Sequence, residues 1–303
     1  MTRLVVVGST GFIGSRVVEA ARLGGLDVVG VSRSAPDRPP VSRPVDLSDT
    51  ATLRDVFAGA DAVVLSAAYV GTDEQEARRT NADGVRSAVT AALHAGVPRL
   101  VSVSTASVVG PGPHRDAAAR TDGLAPQSAA SRTRAEAESI VLGAGGVVLR
   151  PNLVYGAGDR WVVPGLARLI AAGDEAGRSS ALVSTIHVRD LARAVVGAAE
   201  PWPPGLAGTV RNANAPDPDR MSAVVATLRW VLGLDRVTSD AGAGREGRHG
   251  AAGLTPHQRS LILVDNWFES ASLWRDLGLP APRGFSLDAA DTEWYRRHLL
   301  DRI

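Results

Sequence analysis

Apolar residues recur through the first half of the chain as short, mostly β-branched runs, separated by segments in which they return every three or four positions. The runs are Met1 to Val7, Leu26 to Val31, Pro44 to Leu47, Ala60 to Leu65, Pro98 to Val103 and Gly146 to Leu149. Runs this short, bounded by turn formers, read as strands buried on both faces. Helical spacing fills the intervals, beginning after Gly14 and again over Thr50 to Ala58, Asp73 to Ala95 and Gln127 to Leu142. Strand and helix in strict alternation predict an α/β protein with a doubly wound parallel sheet. Gly110 to Pro126 is rich in Gly, Pro and Ala and reads as a loop. Beyond Asn152 the pattern loosens. Pro164 to Ala172, Asp190 to Ala199, Ser222 to Leu232, Asn266 to Leu277 and Asp288 to Leu300 read as helices, and Ser184 to Val188 as extended chain. Thr238 to Thr255 holds Gly, Ala and Arg without a period, which fits either a mobile loop or a substrate lid.

The most informative junction is Val5 to Ser15, VVVGSTGFIGS, where the first strand runs through a glycine turn straight into a helix. Gly8, Gly11 and Gly14 have separate jobs in a dinucleotide site. Gly8 allows the sharp turn, Gly11 leaves room for a pyrophosphate, and Gly14 lets helix and strand pack closely. The helix N-terminus then offers free N–H groups and the positive end of its dipole to phosphate. A Rossmann-type domain over residues 1–160 follows, with 184–200 returning to it. The rest of 161–303 is expected to form a smaller substrate-binding domain, with 238–255 as its lid. At the end of the second run stands Ser32-Arg33-Ser34. A carboxylate there would select a ribose 2′-hydroxyl, whereas Arg33 would pair with a 2′-phosphate, aided by Ser32 and Ser34. The expected cofactor is NADPH. A solvated loop arginine is the alternative reading of Arg33.

Composition narrows the field. The chain has 303 residues, 45% hydrophobic and 21% charged, with a formal net charge of +1. No basic run marks a nucleic-acid surface and no apolar run has the length of a membrane span. With no cysteine and no leader-like start, a cytoplasmic location is expected. All 33 basic residues are arginine, so chemistry that needs a lysine is excluded.

The order of motifs carries a resemblance. GSTGFIG (Gly8 to Gly14), Asp46-Leu47, Ser66-Ala67-Ala68 and Asn81-Ala82-Asp83-Gly84 come first. VSVSTASVVG (Val101 to Gly110), LRPNLVYGAGD (Leu149 to Asp159) and IHVRDLARA (Ile186 to Ala194) follow, then LGLP at Leu277 and EWYRRHL at Glu293. Together they resemble the extended and atypical short-chain dehydrogenase/reductases, the group of nucleotide-sugar epimerases and dihydroflavonol-reductase-like enzymes. The resemblance implies that Gly8, Thr10, Gly11, Phe12, Ile13 and Gly14 hold the pyrophosphate. Asp46 and Leu47 would meet the adenine, Ala67 and Ala68 would line the cofactor path, and Val103 would lie under the nicotinamide. Pro151, Asn152 and Leu153 would approach the carboxamide. The family often forms homodimers through the helices around Asn81 and Arg134.

One departure bears on mechanism. The family's proton relay is a Ser or Thr with a Tyr and a Lys spaced YxxxK, the lysine lowering the tyrosine's pKa. Here those two positions are Ala130 and Arg134, and none of the three tyrosines, Tyr69, Tyr155 and Tyr295, lies in that helix. Arg134 can bind ribose hydroxyls but cannot shuttle a proton. Thr105 falls at the Ser/Thr position, either to hydrogen-bond a substrate carbonyl or simply to satisfy the strand end. Ser107 and Ser131 are weaker candidates. His187 reads as a packed histidine rather than an acid, and His114 as exposed. The expected function is NADPH-dependent reduction of a bulky polycyclic aromatic ketone of the angucyclinone polyketide type. A neighbouring phenol of the substrate would polarise its own carbonyl. The alternative is a non-catalytic NADP-binding sensor or scaffold. A sugar epimerase or dehydratase is disfavoured, because those reactions depend on the tyrosine.

Overall fold

The computed structural model describes residues 1–33, 42–171, 176–203, 205–234 and 260–299. Seven parallel strands form the main sheet: β1 (Arg3–Val7), β2 (Asp27–Ser32), β3 (Ser42–Pro44), β4 (Ala62–Leu65), β5 (Leu100–Val103), β7 (Val147–Arg150) and β11 (Val210–Asn212). Their order is β11-β7-β5-β4-β1-β2-β3. The chain starts in the middle, winds outward to β3, then returns to build the other half, so the order reverses beside β1. That reversal opens a crevice at the carboxyl ends of β1 and β4, where this class of sheet takes its ligands.

Residue alternation along β1 explains why the sheet is covered on both faces. Leu4 and Val6 enter one apolar cluster with Val17, Val18 and Ala21 of α1 (Phe12–Leu23) and Leu191 and Val195 of α7 (Val188–Ala199). Val5 and Val7 enter the opposite cluster, with Leu53 and Phe57 of α2 (Thr50–Phe57), Val85 and Val89 of α4 (Gly84–His94), and Val141 of α5 (Ala129–Gly143). From Leu4 to Val7 each β1 side chain is buried almost completely, which is why that stretch carries no polar residue. β3 is short and contains Pro44, as suits an edge.

A third cluster lies outside the main sheet. It joins Leu153 and Tyr155 of β8 (Leu153–Tyr155), Leu166 and Ile170 of α6 (Val162–Ala171), and Val225 and Leu228 of α8 (Met221–Leu232) to Tyr295 of the last helix, Ala289–Leu299. β8 pairs in parallel with β10 (Thr185–His187). A four-stranded sheet has the order β12-β9-β13-β6, with β12 (Asp219–Arg220), β9 (Leu182–Val183), β13 (Asn266–Phe268) and β6 (His114–Ala117).

Three expectations are corrected. The Gly110 to Pro126 loop contains β6, which exists because β13 pairs with it; HRDA has no strand pattern of its own. Asn266 to Leu277 is not one helix but β13 followed by the helix Ala271–Asp276. The third run is shifted: the strand is Ser42–Pro44, and Asp46 and Leu47 follow it. The long helix from Asp73 is continuous, running through α3 (Glu74–Ala77), a π-helical turn (Arg78–Asp83) and α4. Ser34 and the 238–255 segment lie outside the described residues.

Candidate active site

The glycine turn forms as its residue types require. Gly8 has φ +84°, and a Cβ there would stand 2.5 Å from the Ala67 nitrogen. Ala67, at the end of β4, thus packs on the turn itself. A Cβ on Gly14 would run into the Gly8 carbonyl oxygen and stand 2.7 Å from Ser66 Oγ. The turn is braced by Gly8 and Ser9 N–H groups donating to the Val31 carbonyl at 2.8 and 3.1 Å, and by Gly11 N–H donating to Gly8 at 2.9 Å. Gly11 caps α1 with no side-chain hydrogen bond. The first-turn N–H groups of Phe12, Ile13 and Gly14 therefore have no side chain competing for them, and a pyrophosphate fits the cradle. Thr10 is exposed beside it, and Phe12 packs under Gly158, whose Cβ would lie 3.0 Å from the ring.

Where β2 ends, Ser32 is buried and Arg33 is exposed, with a guanidinium nitrogen 3.5 Å from Glu76. The Asp46 carboxylate accepts the Ser48 N–H and hydroxyl at 2.9 and 2.8 Å. Those hydrogen bonds, and more weakly Arg79 and Arg33, hold its pKa below the usual range. Leu47 packs beneath Gly84 at the start of α4. A small cavity brings together Ala67, Val103 and Arg134 with Asn81 and Ser104. Asn81 sits in the π-helical turn, a distortion that often marks functional sites. Its amide bonds both the N–H and the carbonyl of Tyr69, at 2.8 and 3.0 Å, and donates to Thr133 Oγ1 at 3.0 Å.

Arg134 donates to the Ser104 carbonyl at 3.1 Å. Burial pushes its guanidinium down to about 10, with Glu138 opposing, so it stays protonated at neutral pH. Below it lies a chain of buried groups. Ser104 Oγ donates to Glu138 at 2.5 Å, and Arg150 closes on the same carboxylate with contacts of 2.9 and 2.5 Å while bonding the Arg120 carbonyl at 2.7 Å. Glu138 and Arg150 are 2% and 0% exposed, so this ion pair is a core element that sequence reasoning passed over. The available signal was the i, i+4 spacing of Arg134 and Glu138 with an arginine at the end of β7.

The hydroxyl and imidazole candidates are mostly occupied. Thr105 caps the 3₁₀ turn Ala106–Val109, accepting the Ser107 N–H at 3.2 Å and donating to Ser107 Oγ at 3.2 Å. Ser131 is the far half of a capping box with Ser128. His187 Nδ1 accepts the Arg189 N–H at 3.1 Å, and Nε2 lies 2.9 Å from Asp291, so both ring nitrogens serve the fold. His114 is half-buried against Phe268 rather than exposed, with Nε2 3.2 Å from the Gly110 carbonyl. Tyr155 accepts the Ser286 N–H at 3.1 Å, and burial pushes its hydroxyl up to about 12. Tyr295 bonds Gly156 and Asp159, and burial drives its pKa far up. The Asn152 amide is tied to the Ser184 and Asn266 carbonyls, both at 3.1 Å, which positions the Pro151–Leu153 backbone. The Pro151 carbonyl accepts the Ala106 N–H at 2.8 Å. Among the described residues no cluster of His, Asp or Glu could hold a metal, and no helix is long and apolar enough to cross a membrane.

Comparison with known proteins agrees with this geometry. A model of the NAD dependent epimerase/dehydratase family matches residues 4–209. The 3-diazoavenalumate denitrifying reductase of a Streptomyces species is 31% identical over 297 residues, covering 84% of this chain and 96% of that one. A 4-hydroxy-2-methyl-3-oxo-4-farnesyl-3,4-dihydroquinoline-1-oxide ketoreductase of Stigmatella aurantiaca is 30% identical over 222 residues, 67% of this chain and 66% of the relative. Among solved structures, MoeE5 in complex with UDP-glucuronic acid and NAD superposes with a TM-score of 0.76 at 25% identity, covering 98% of this chain and 100% of that one. Turn, sheet and relatives agree: the chain belongs to the NAD dependent epimerase/dehydratase family and is a nicotinamide-dependent oxidoreductase.

Proposed function

We propose that the protein is an NADPH-dependent ketoreductase acting on a bulky polycyclic aromatic ketone, with the proton supplied from outside the family's usual side-chain relay. The observation that carries this reading is the contrast inside one site. The glycine cradle is kept, while Ala130 stands where the family places its tyrosine acid and Arg134 where it places its lysine. A bound reduced nicotinamide supplies a hydride to the carbonyl carbon. The chain's own part is placement. Gly8, Gly11 and Gly14 with the Thr10–Ile13 backbone would hold the pyrophosphate, and Arg33 and Ser32 the ribose phosphate. Asp46, Leu47 and Ala68 would border the adenosine half. Val103 would form the floor, Arg134 would hold the nicotinamide ribose, and Pro151 to Leu153 would meet the carboxamide. The elements around the third apolar cluster would take the substrate.

The oxygen still needs a proton. The Thr105 hydroxyl would have to leave Ser107 to reach it, and Tyr155 and Tyr295 are held by the fold. A ketone with an adjacent phenol solves this through its internal hydrogen bond, and in-line placement then supplies a large share of the rate. The test is NADPH oxidation with a phenol-bearing polycyclic ketone and its O-methyl ether. The phenol should turn over, and the ether should be slower by about a hundredfold or more. Equal rates would refute substrate assistance. Tight NADPH binding with no turnover of any carbonyl would favour a non-catalytic sensor.

A second reading follows from the match to the diazo-compound reductase over 84% of this chain, together with Ala130. An aryl diazonium takes up hydride with loss of dinitrogen and has no oxygen to protonate, so it too dispenses with the tyrosine. Including an aryl diazo acid in the same screen separates the two.

A further inference from the structure

At the edge of the adenosine half, two arginines from different parts of the chain converge on one carboxylate. Arg33, at the end of β2, has a guanidinium nitrogen 3.5 Å from one Glu76 oxygen. Arg79, in the π-helical turn, lies 2.6 Å from the other. Thr80 donates to the first oxygen at 3.3 Å. The arginine side chains are 79% and 72% exposed, while that of Glu76 is 24% exposed, so the carboxylate is the inner member of the cluster. An anion met by two guanidinium groups, each through one nitrogen, draws on the same kind of donor that a phosphate monoester needs. The fold places this cluster where β2 ends, beside the ribose of a bound dinucleotide.

We propose that Arg79 is a second ligand for the cofactor's 2′-phosphate and that Glu76 occupies that anion's place when no phosphate is bound, making Arg79 and Glu76 the residues that set the strength of the NADPH preference. This inference rests on the NADPH reading. Its logic is competition: the 2′-phosphate must take both arginines from Glu76, so the carboxylate weakens NADPH binding and leaves NADH nearly untouched. The free-state pairing has a use of its own, since it keeps two exposed cations in place before the ligand arrives.

Dissociation constants of NADPH, NADH and 2′,5′-ADP for the full chain and for Glu76→Gln, Arg79→Gln and Arg33→Gln test this. Glu76→Gln should raise the NADPH:NADH preference about threefold to fivefold, the range expected for releasing exposed ion pairs. Arg79→Gln should lower it about fivefold or more and weaken 2′,5′-ADP by the same factor. NADH affinity, constant across the set, reports that each variant is folded. A Glu76→Gln variant that binds NADPH no better, or worse, would mean the carboxylate only orients the arginines, and the proposal falls. So would an unchanged preference in Arg79→Gln. The two levels separate cleanly. Wild-type preference for NADPH that is lost in Arg33→Gln, with Arg79 and Glu76 silent, overturns this inference alone. Wild-type indifference to the 2′-phosphate overturns the NADPH reading and this inference with it.

Discussion

Replacing Arg150 by Met tests the buried ion pair beneath the site. The guanidinium is fully buried, and it meets both oxygens of Glu138 at 2.9 and 2.5 Å. Arg150→Met leaves the Glu138 carboxylate in the core with Ser104 Oγ as its one remaining partner among these bonds. It also frees the Arg120 carbonyl. Stranding one charge of a buried pair costs about 3–5 kcal/mol. That is a large part of the roughly 5–15 kcal/mol that holds a typical domain together. With a urea dependence of about 3 kcal/mol/M, the unfolding midpoint should fall by about 1 M or more. The informative comparison is Glu138→Gln with Arg150→Met. The double variant removes both charges of the pair and keeps an acceptor for Ser104, so it should recover at least about 2 kcal/mol of what Arg150→Met loses. Chemical denaturation followed by tryptophan fluorescence measures all of these. A loss below about 1 kcal/mol for Arg150→Met, or a double variant equal to the sum of the singles, would show that the two groups do not depend on each other.

Other expectations are simpler. Gly8→Ala forces a side chain into a left-handed backbone position and against the Ala67 nitrogen, so nucleotide binding should be lost, as titration calorimetry would register. Thr105→Ala should lower kcat by less than about a hundredfold, because the hydroxyl is already committed to Ser107; a larger loss would identify it as the proton donor. Tyr155→Phe should leave the pH profile of kcat unchanged, since a hydroxyl pushed up to about 12 is no acid at neutral pH. For Asp291, burial opposes ionisation, but the His187 hydrogen bond and the Ala157 N–H outweigh it and lower its pKa. A lowered carboxylate stabilises fully above its unfolded value of 3.8 and loses that contribution as pH falls toward the folded value. The stability gap between wild type and Asp291→Asn should therefore shrink as pH drops below about 4; a widening gap there would contradict the assignment.

Much of this was legible in the chain because the signals were local. Leu4 to Val7 declare a strand buried on both sides, and Gly8, Gly11 and Gly14 declare the turn without reference to any distant residue. Ala130 and Arg134 announce the missing proton relay in the same way. The elements that were misread are those whose structure is imposed from far away. His114 to Ala117 has no alternation and becomes a strand through Asn266 to Phe268. Trp267 and Phe268 look helical beside Leu273 and Trp274, yet pairing with β6 and β9 extends them. The π-helical turn is an extra residue absorbed inside a helix, which periodicity reads as slight drift. Glu138 and Arg150 are ordinary charged residues in isolation; only the packing of α5 on β7 shows that they neutralise each other.

The pairing of β6 with β13 also sets an order of events during synthesis. Arg115 and its partner Asp265 are 150 positions apart, so the segment leading out of the Thr105 turn leaves the ribosome long before the strand that completes it. β11, the last strand of the main sheet, likewise waits for Val210. Closing loops of that length adds little to the equilibrium cost but slows the search for native contacts. A nascent chain would therefore possess its glycine turn early and the β6–β13 pairing only near the end.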